Sequence, residues 1–296
     1  MTTATTSETI VNTVKSAFDF TVDKFPLNGP DGLQTPLYGL FRSDNNTFVG
    51  KPCPKRYVAH QTDDVLALVE SAPEAFDGIG SVQCHFGDGH HVVIAPDDSE
   101  RRSIYGTKDN IFPRVMINAG YDGRSFKAVM GFYRDACSNL AMLHTVNQTA
   151  VSIRHSSGLR QKMDDLINTF SVLRESWGTL ADVIQELQKK EVRMVDFLNS
   201  VYGEPDETNA NKLTRHKNRT EAIFRRLADE RFRTQRPNFD DEFTVSAWEA
   251  YNVVQGYVQH EATRKQNPSD LARIIAASKD TYVKKAETLA MATLTA

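Results

Sequence analysis

Cys137, Asn139 and His155 are the residue types of a thiol nucleophile, an orienting amide and a base, and Arg134 and Arg154 flank them in "YRDACSN" and "SIRHSSG". A guanidinium near a thiol favours the thiolate and a histidine can take its proton, so the chemistry implied is that of a cysteine-based enzyme. The same residues fit a plainer arrangement. Cys137 is then a small buried hydrophobe at a helix start, and the arginines, Asn139 and His155 form a structural polar network. Spacing does not show that these groups meet, and the structural arrangement is the reading taken.

A metal site has weaker grounds. If the hairpin around Gly87, Asp88 and Gly89 has a three-residue loop, His85 lies opposite His91, and two histidines across a sheet can ligate zinc. Cys84 and His85 point to opposite faces, however, and no third ligand is assured, so neither a metal nor a cofactor is expected. The phosphate-binding patterns GxxxxGK[ST] and GxGxxG are absent from the sequence, which argues against an ATP-driven enzyme. Cys53, Cys84 and Cys137 are too widely spaced for a CxxC metal pair or a disulfide framework and read as reduced thiols.

Cations offer a third kind of chemistry. The chain carries a net charge of −3, but nine Lys/Arg against three acids between Lys212 and Arg236 give that stretch +6 and leave −9 elsewhere. A local basic segment on an acidic body is a candidate phosphate-binding site. The alternative is a solvated helix face, with Glu221, Asp229 and Glu230 pairing locally. A second set of cations lies on the hairpin turning at Asp122-Gly123. Alternation puts Val115, Ile117, Ala119, Tyr121, Phe126, Ala128 and Met130 on one face and Arg114, Met116, Asn118, Ser125, Lys127 and Val129 on the other. The first face is fit to cover a core, and the second to lie along a phosphate backbone.

The elements that must position these residues follow from the hydrophobic pattern. Ser7 caps a short amphipathic helix carrying Ile10, Val11, Val14 and Phe18, which "NGPDG" ends. "TPLYGLFRSDNNTFVGK" reads as a hairpin, and Thr62 starts a helix through "DDVLALVESA". Two further hairpins, "SVQCHF-GDG-HHVVIAP" and "PRVMINAGY-DG-RSFKAVMG", give four strands of one antiparallel sheet. After residue 158 the chain turns helical. Leu166, Phe170, Leu173, Trp177, Leu180, Ile184 and Leu187, resumed by Met194, Leu198 and Val201, make a heptad stripe on one long helix, which packs within the chain or forms an intermolecular coiled coil. Two more helices follow, one from about Thr244 through Val258 and one after Pro268. The expectation is an α+β fold: an N-terminal helix and linker (1–30), a sheet core packed on helices (31–158), and a helical region (159–296) with the basic segment. The sequence has neither a long apolar span nor a secretory signal, so a cytoplasmic protein of the host cell, without membrane association, is expected.

"YGTKDN", "PRVMINAGYDGRSFKAVMGFYRDACSN", "SIRHSSG" and "WEAYNVVQGYVQH" together resemble the phage- and plasmid-borne family catalogued as domain of unknown function 932, over roughly residues 30 to 265. Gly131, Arg134, Cys137, Ser138, Asn139, Arg154 and His155 match its pattern. The turn at Asn118 to Ser125 departs from the family's Asn-Ser-His-Asp-Gly-Ser. The arrangement of strands before helices is also similar, at fold level only, to single-strand annealing proteins of the Redβ and Rad type.

The resulting expectation is a phage- or plasmid-encoded protein, non-enzymatic, that binds single-stranded DNA and assists annealing, recombination or replication without ATP, as a homo-oligomer built partly through the long heptad helix. Its candidate contacts are Arg114, Asn118, Lys127, Arg134, Arg154, Lys217, Arg219, Arg225 and Arg226, with Phe132 and Tyr133 as candidate stacking rings. The rival is an interaction factor that binds a host or phage protein and modulates a host defence. A cysteine/histidine enzyme stands third.

Overall fold

A computed structural model describes residues 7–76, 78–96, 100–121, 123, 126–134, 140–141, 150–153, 170–237, 240, 242–262 and 270–295. The chain is α+β, as expected. The order is α1 (Ser7–Ala17), β1 (Val22–Asn28), β2 (Gln34–Arg42), β3 (Phe48–Pro54), α2 (Thr62–Phe76), β4 (Ile79–Phe86), β5 (Gly89–Pro96), β6 (Arg102–Ser103), β7 (Asn110–Gly120), β8 (Phe126–Arg134), β9 (Leu140–Ala141) and β10 (Ala150–Ile153). There follow α3 (Phe170–Lys189), β11 (Glu191–Arg193), α4 (Met194–Tyr202), α5 (Ala210–Arg233), β12 (Thr244–Ser246), α6 (Ala247–Tyr257), a π-helical turn (Val258–Ala262), α7 (Asp270–Lys279) and α8 (Thr281–Ala292). The chain divides into two compact units that are not consecutive stretches. The first comprises Met1–Glu100, Pro113–Met130 and Gln148–Ser176, and the second Arg101–Phe112, Gly131–Asn147 and Trp177–Ala296.

In the first unit, β1, β2 and β3 form a three-stranded antiparallel sheet with β2 in the centre. Pro26 interrupts the apolar alternation of β1 and hides that strand from a sequence reading. β1 is an edge strand, the position within a sheet where proline is accommodated. The inner face of this sheet buries Val22, Leu40, Val49 and Cys53 with Tyr57 and Tyr121. Ile10, Val14 and Phe18 of α1 and Val65, Leu68, Val69 and Ala72 of α2 are buried as helical spacing requires.

The larger sheet runs β10-β8-β7-β5-β4, with β6 added to β7 and β9 to β8. Its β4–β5 register pairs His85 with His91, as a three-residue loop demands. Every residue of β5 is buried, and neighbours such as Val92 and Val93, which point to opposite faces, are both inside. On the face expected to be polar and open, Met116 and Val129 are buried, Arg114 and Asn118 are half-buried and Lys127 is exposed. Alternation within one hairpin distinguishes two faces but does not reveal how far each is covered.

The second unit holds the heptad stripe from Trp177 onward. Trp177, Leu180, Ile184, Leu187, Met194, Leu198 and Val201 are all buried, but on two helices, not one. At Glu191–Arg193 the chain opens into β11, which pairs with β12. A continuous helix would carry Glu191 into the buried seam; the strand leaves Glu191 and Arg193 exposed. Ser246 then starts α6 with a complete capping box to Glu249.

Candidate nucleic-acid interface

Arg134 ends β8 and is only 4% exposed. Its Nε donates to Asp109 Oδ2 at 2.5 Å and its Nη1 to Glu230 Oε2 at 2.9 Å. Asn252, oriented with its amide oxygen toward the guanidinium, accepts from it too, and the Trp248 ring lies 5.8 Å away. The charge is thus used inside the second unit, where it ties β8 and the Asp109 turn to α5. It is not presented to a phosphate. Arg231 follows the same logic, donating from Nε and Nη2 to the Glu249 carboxylate at 3.0 and 3.1 Å. Burial alone would raise the Glu249 pKa; the hydrogen bonds and charges of Arg231, with Arg236, outweigh it and hold the carboxyl below its usual range.

The remaining candidates separate by unit. In the first, Arg114 is half-buried and donates to its neighbour's carbonyl, Pro113 O, at 2.7 Å. The Asn118 amide is committed to His91 Nδ1 at 2.9 Å, while His91 Nε2 meets Asp88 at 2.7 Å. Both ring nitrogens of His91 are therefore engaged by groups other than a metal. Lys127 is exposed and pairs across the ladder with Ser152 of β10. Arg154, Cys137, Asn139 and His155 lie outside the described residues. Phe132 is fully buried against Trp248, ring centroids 5.1 Å apart, so it is a core residue and not a stacking surface.

In the second unit the basic segment is α5. Asn209 caps it by accepting from Lys212 N at 3.1 Å, and Arg231 and Arg233 occupy its last turn, where cations favour the helix dipole. Ala222, Ile223, Leu227, Glu230 and Arg231 form its buried stripe. Arg215, Lys217, Arg225 and Arg233 are exposed, Lys217 and Arg225 on the side away from that stripe and Arg215 and Arg233 on its flank, with Glu221 and Asp229 as exposed acids among them. A rise of 1.5 Å per residue spreads the four cations over about 27 Å. Phe232, 85% exposed, sits on the same face. The other two arginines named from sequence are partly withdrawn. Arg226 reaches Glu230 at 3.2 Å and Glu261 at 3.7 Å, and Arg219 lies 4.2 Å over the Tyr202 ring and 5.6 Å from that of Tyr282. Tyr202 and Tyr282 are themselves 4.8 Å apart, and Tyr282 remains 41% exposed. Burial raises the Tyr202 phenol above its ordinary pKa despite Arg219, so the ring stays neutral beneath the guanidinium.

Arg215, Phe232 and the two tyrosines are thus added to the candidate surface. A turn of 100° per residue already separates Lys217, Arg225 and Phe232 from Ile223, Leu227 and Arg231. The tyrosines had no such signal, since only tertiary folding brings α4 and α8 to Arg219.

One further concavity, of about 400 Å³, opens between α1 and the start of α2, lined in part by Lys15, Phe18, Phe20, Gln61 and Thr62. Gln61 exchanges two hydrogen bonds with the Val22 backbone and Thr62 donates to Phe18 O, so these polar groups are engaged by the chain itself.

The family described as domain of unknown function (DUF932) matches residues 53–287, and the chain belongs to it. No curated protein and no solved structure matches the chain. Among the described residues no helix is long and apolar enough to cross a membrane.

Proposed function

We propose that this protein binds single-stranded DNA through the outward face of α5 and, on a phage or plasmid, assists strand annealing or replication without ATP. The observation that carries the reading is the sorting of charge on α5. Arg231 and Arg226 are occupied by carboxylates, whereas Arg215, Lys217 and Arg225 face outward beside the exposed rings of Phe232 and, next to Arg219, Tyr282.

Such a surface has the two parts that sequence-tolerant single-strand binding needs. Cations neutralise phosphates and release counterions, and aromatic faces accept bases of any identity. A strand held by its backbone keeps base edges available for pairing. Two neutralised strands then come into register on pairing energy alone, which is how annealing proceeds without nucleotide hydrolysis. The test is fluorescence anisotropy of labelled oligothymidine at low and high salt, followed by a strand-annealing assay. Tight, salt-sensitive binding that accelerates annealing supports the reading; no binding at low salt removes it.

A further inference from the structure

The outer face of the β1–β2–β3 sheet is apolar and exposed. Strand register places Phe25 and Leu27 of β1, Leu37 and Phe41 of β2, and Phe48 and Pro54 of β3 on the side opposite the buried Val22, Leu40, Val49 and Cys53. Phe25 is 53% exposed and Phe48 42%. The Phe41 ring lies 5.9 Å from Phe25 and 5.5 Å from Phe48, so three phenyl groups run in sequence across the three strands. Gly39, at the centre of β2, is what lets them lie low. A Cβ there would stand 2.7 Å from Phe41 Cε2, 2.9 Å from Leu27 Cδ2 and 3.1 Å from Phe48 Cε2.

An aromatic face of this kind is not explained by the protein's own core, which the other side of the sheet already serves. Charge indicates its occupant. Lys51, within the edge strand β3, and Lys55 and Arg56, directly after it, are exposed cations along that edge, and Asp23 is an acid of the face. Prolines 26, 52 and 54 lie on the two edge strands, where they hinder the addition of a further strand.

We propose that this face is a base-stacking platform: Phe25, Phe41 and Phe48 receive the bases of a single strand, and Lys51, Lys55 and Arg56 its phosphates. The proposal rests on the single-strand reading and extends it to a second surface, in the other compact unit. Rings on an antiparallel sheet stack unpaired bases with little sequence preference, because every base has a π-face. Double-stranded DNA, whose bases are already stacked, gains nothing from them.

The experiment uses the full chain and two labelled probes of equal length, oligothymidine and an abasic strand carrying only the phosphates. Phe25→Ser and Phe48→Ser change exposed side chains, and far-UV circular dichroism checks that each variant is folded. Each substitution is expected to weaken oligothymidine binding about five-fold or more, to leave the salt slope unchanged, and to leave abasic-strand binding unaltered. Oligothymidine affinity unchanged in both folded variants, with wild-type binding intact, overturns the platform while leaving α5 as the binding surface. If the variants bind normally but lose self-association in light scattering, the face belongs to a second copy of the chain and the platform is again overturned. Failure of the wild type to bind either probe overturns both readings together.

Discussion

The Arg134 guanidinium on β8 donates to Glu230 on α5 at 2.9 Å, joining residues 96 positions apart in the chain. Asp109 accepts from the same guanidinium, so one buried cation serves two buried carboxylates, of which Glu230 also meets Arg226 at 3.2 Å. Removing one partner of a buried pair leaves uncompensated charge, which typically costs about 3–5 kcal/mol. Arg134→Met is therefore expected to lower unfolding stability by that order in urea denaturation. Arg134→Lys is expected to rescue little of it, because a lysine lacks the fork that serves Asp109 and Glu230 together. Under conditions where either variant is folded, the salt slope of oligonucleotide binding should match wild type.

That pair also marks the limit of the sequence reading. "YRDACSN" identified Arg134 as special, and the family match over residues 53–287 agrees that the motif belongs to this fold. Nothing local indicated that Asp109 and Glu230 would claim it, because both partners arrive only through tertiary folding. The Asp88 hairpin, its His85–His91 register and the helical stripes were legible because turn chemistry and periodicity are local. β1 was not, since Pro26 breaks its pattern, and neither was the burial of β5 on both its faces. On α5 the basic segment was visible as a composition, whereas its division into occupied and outward cations needed the helix to be docked.

His90 gives the first unit a pH dependence. Its ring is fully buried among Phe18, Phe20 and Phe86, with Nδ1 3.0 Å from His60 Nε2. Burial, aided by His91 and Arg42, pushes its pKa from 6.5 down to about 3. The unfolded chain binds the proton first, so stability from this group is full above pH 6.5 and is lost as pH falls toward about 3. The slope should approach about 1.4 kcal/mol per pH unit within that window. Urea midpoints at a series of pH values measure it, and a flat profile across the window contradicts the buried neutral ring.

Gly50 is expected to tolerate no side chain. Its φ is +67°, and an added Cβ would run into the backbone carbonyl of Tyr121, to which the Lys51 N–H already donates at 3.0 Å. Gly50→Ala combines left-handed strain with a clash against backbone, and a loss of at least about 1–3 kcal/mol is expected in thermal or urea unfolding. Gly32 also has positive φ (+73°) but open space around it, so Gly32→Ala carries the strain without the clash and should cost less.

The outward cations of α5 should matter for binding and little for folding. Arg215→Ala and Lys217→Ala change exposed side chains on the docked helix, and each is expected to alter stability by about 0.5 kcal/mol or less. Their effect should appear as weaker oligothymidine binding at low salt that converges on wild type as salt rises.

The most direct test of the account is the salt slope of oligothymidine binding for the wild type and for the combined Arg215→Ala, Lys217→Ala, Arg225→Ala variant. Each phosphate contact on a single strand contributes about 0.7 to the slope of log K against log salt, so the account predicts a variant slope shallower by roughly 2. A wild type that does not bind at low salt, or a folded variant whose slope equals that of the wild type, contradicts it.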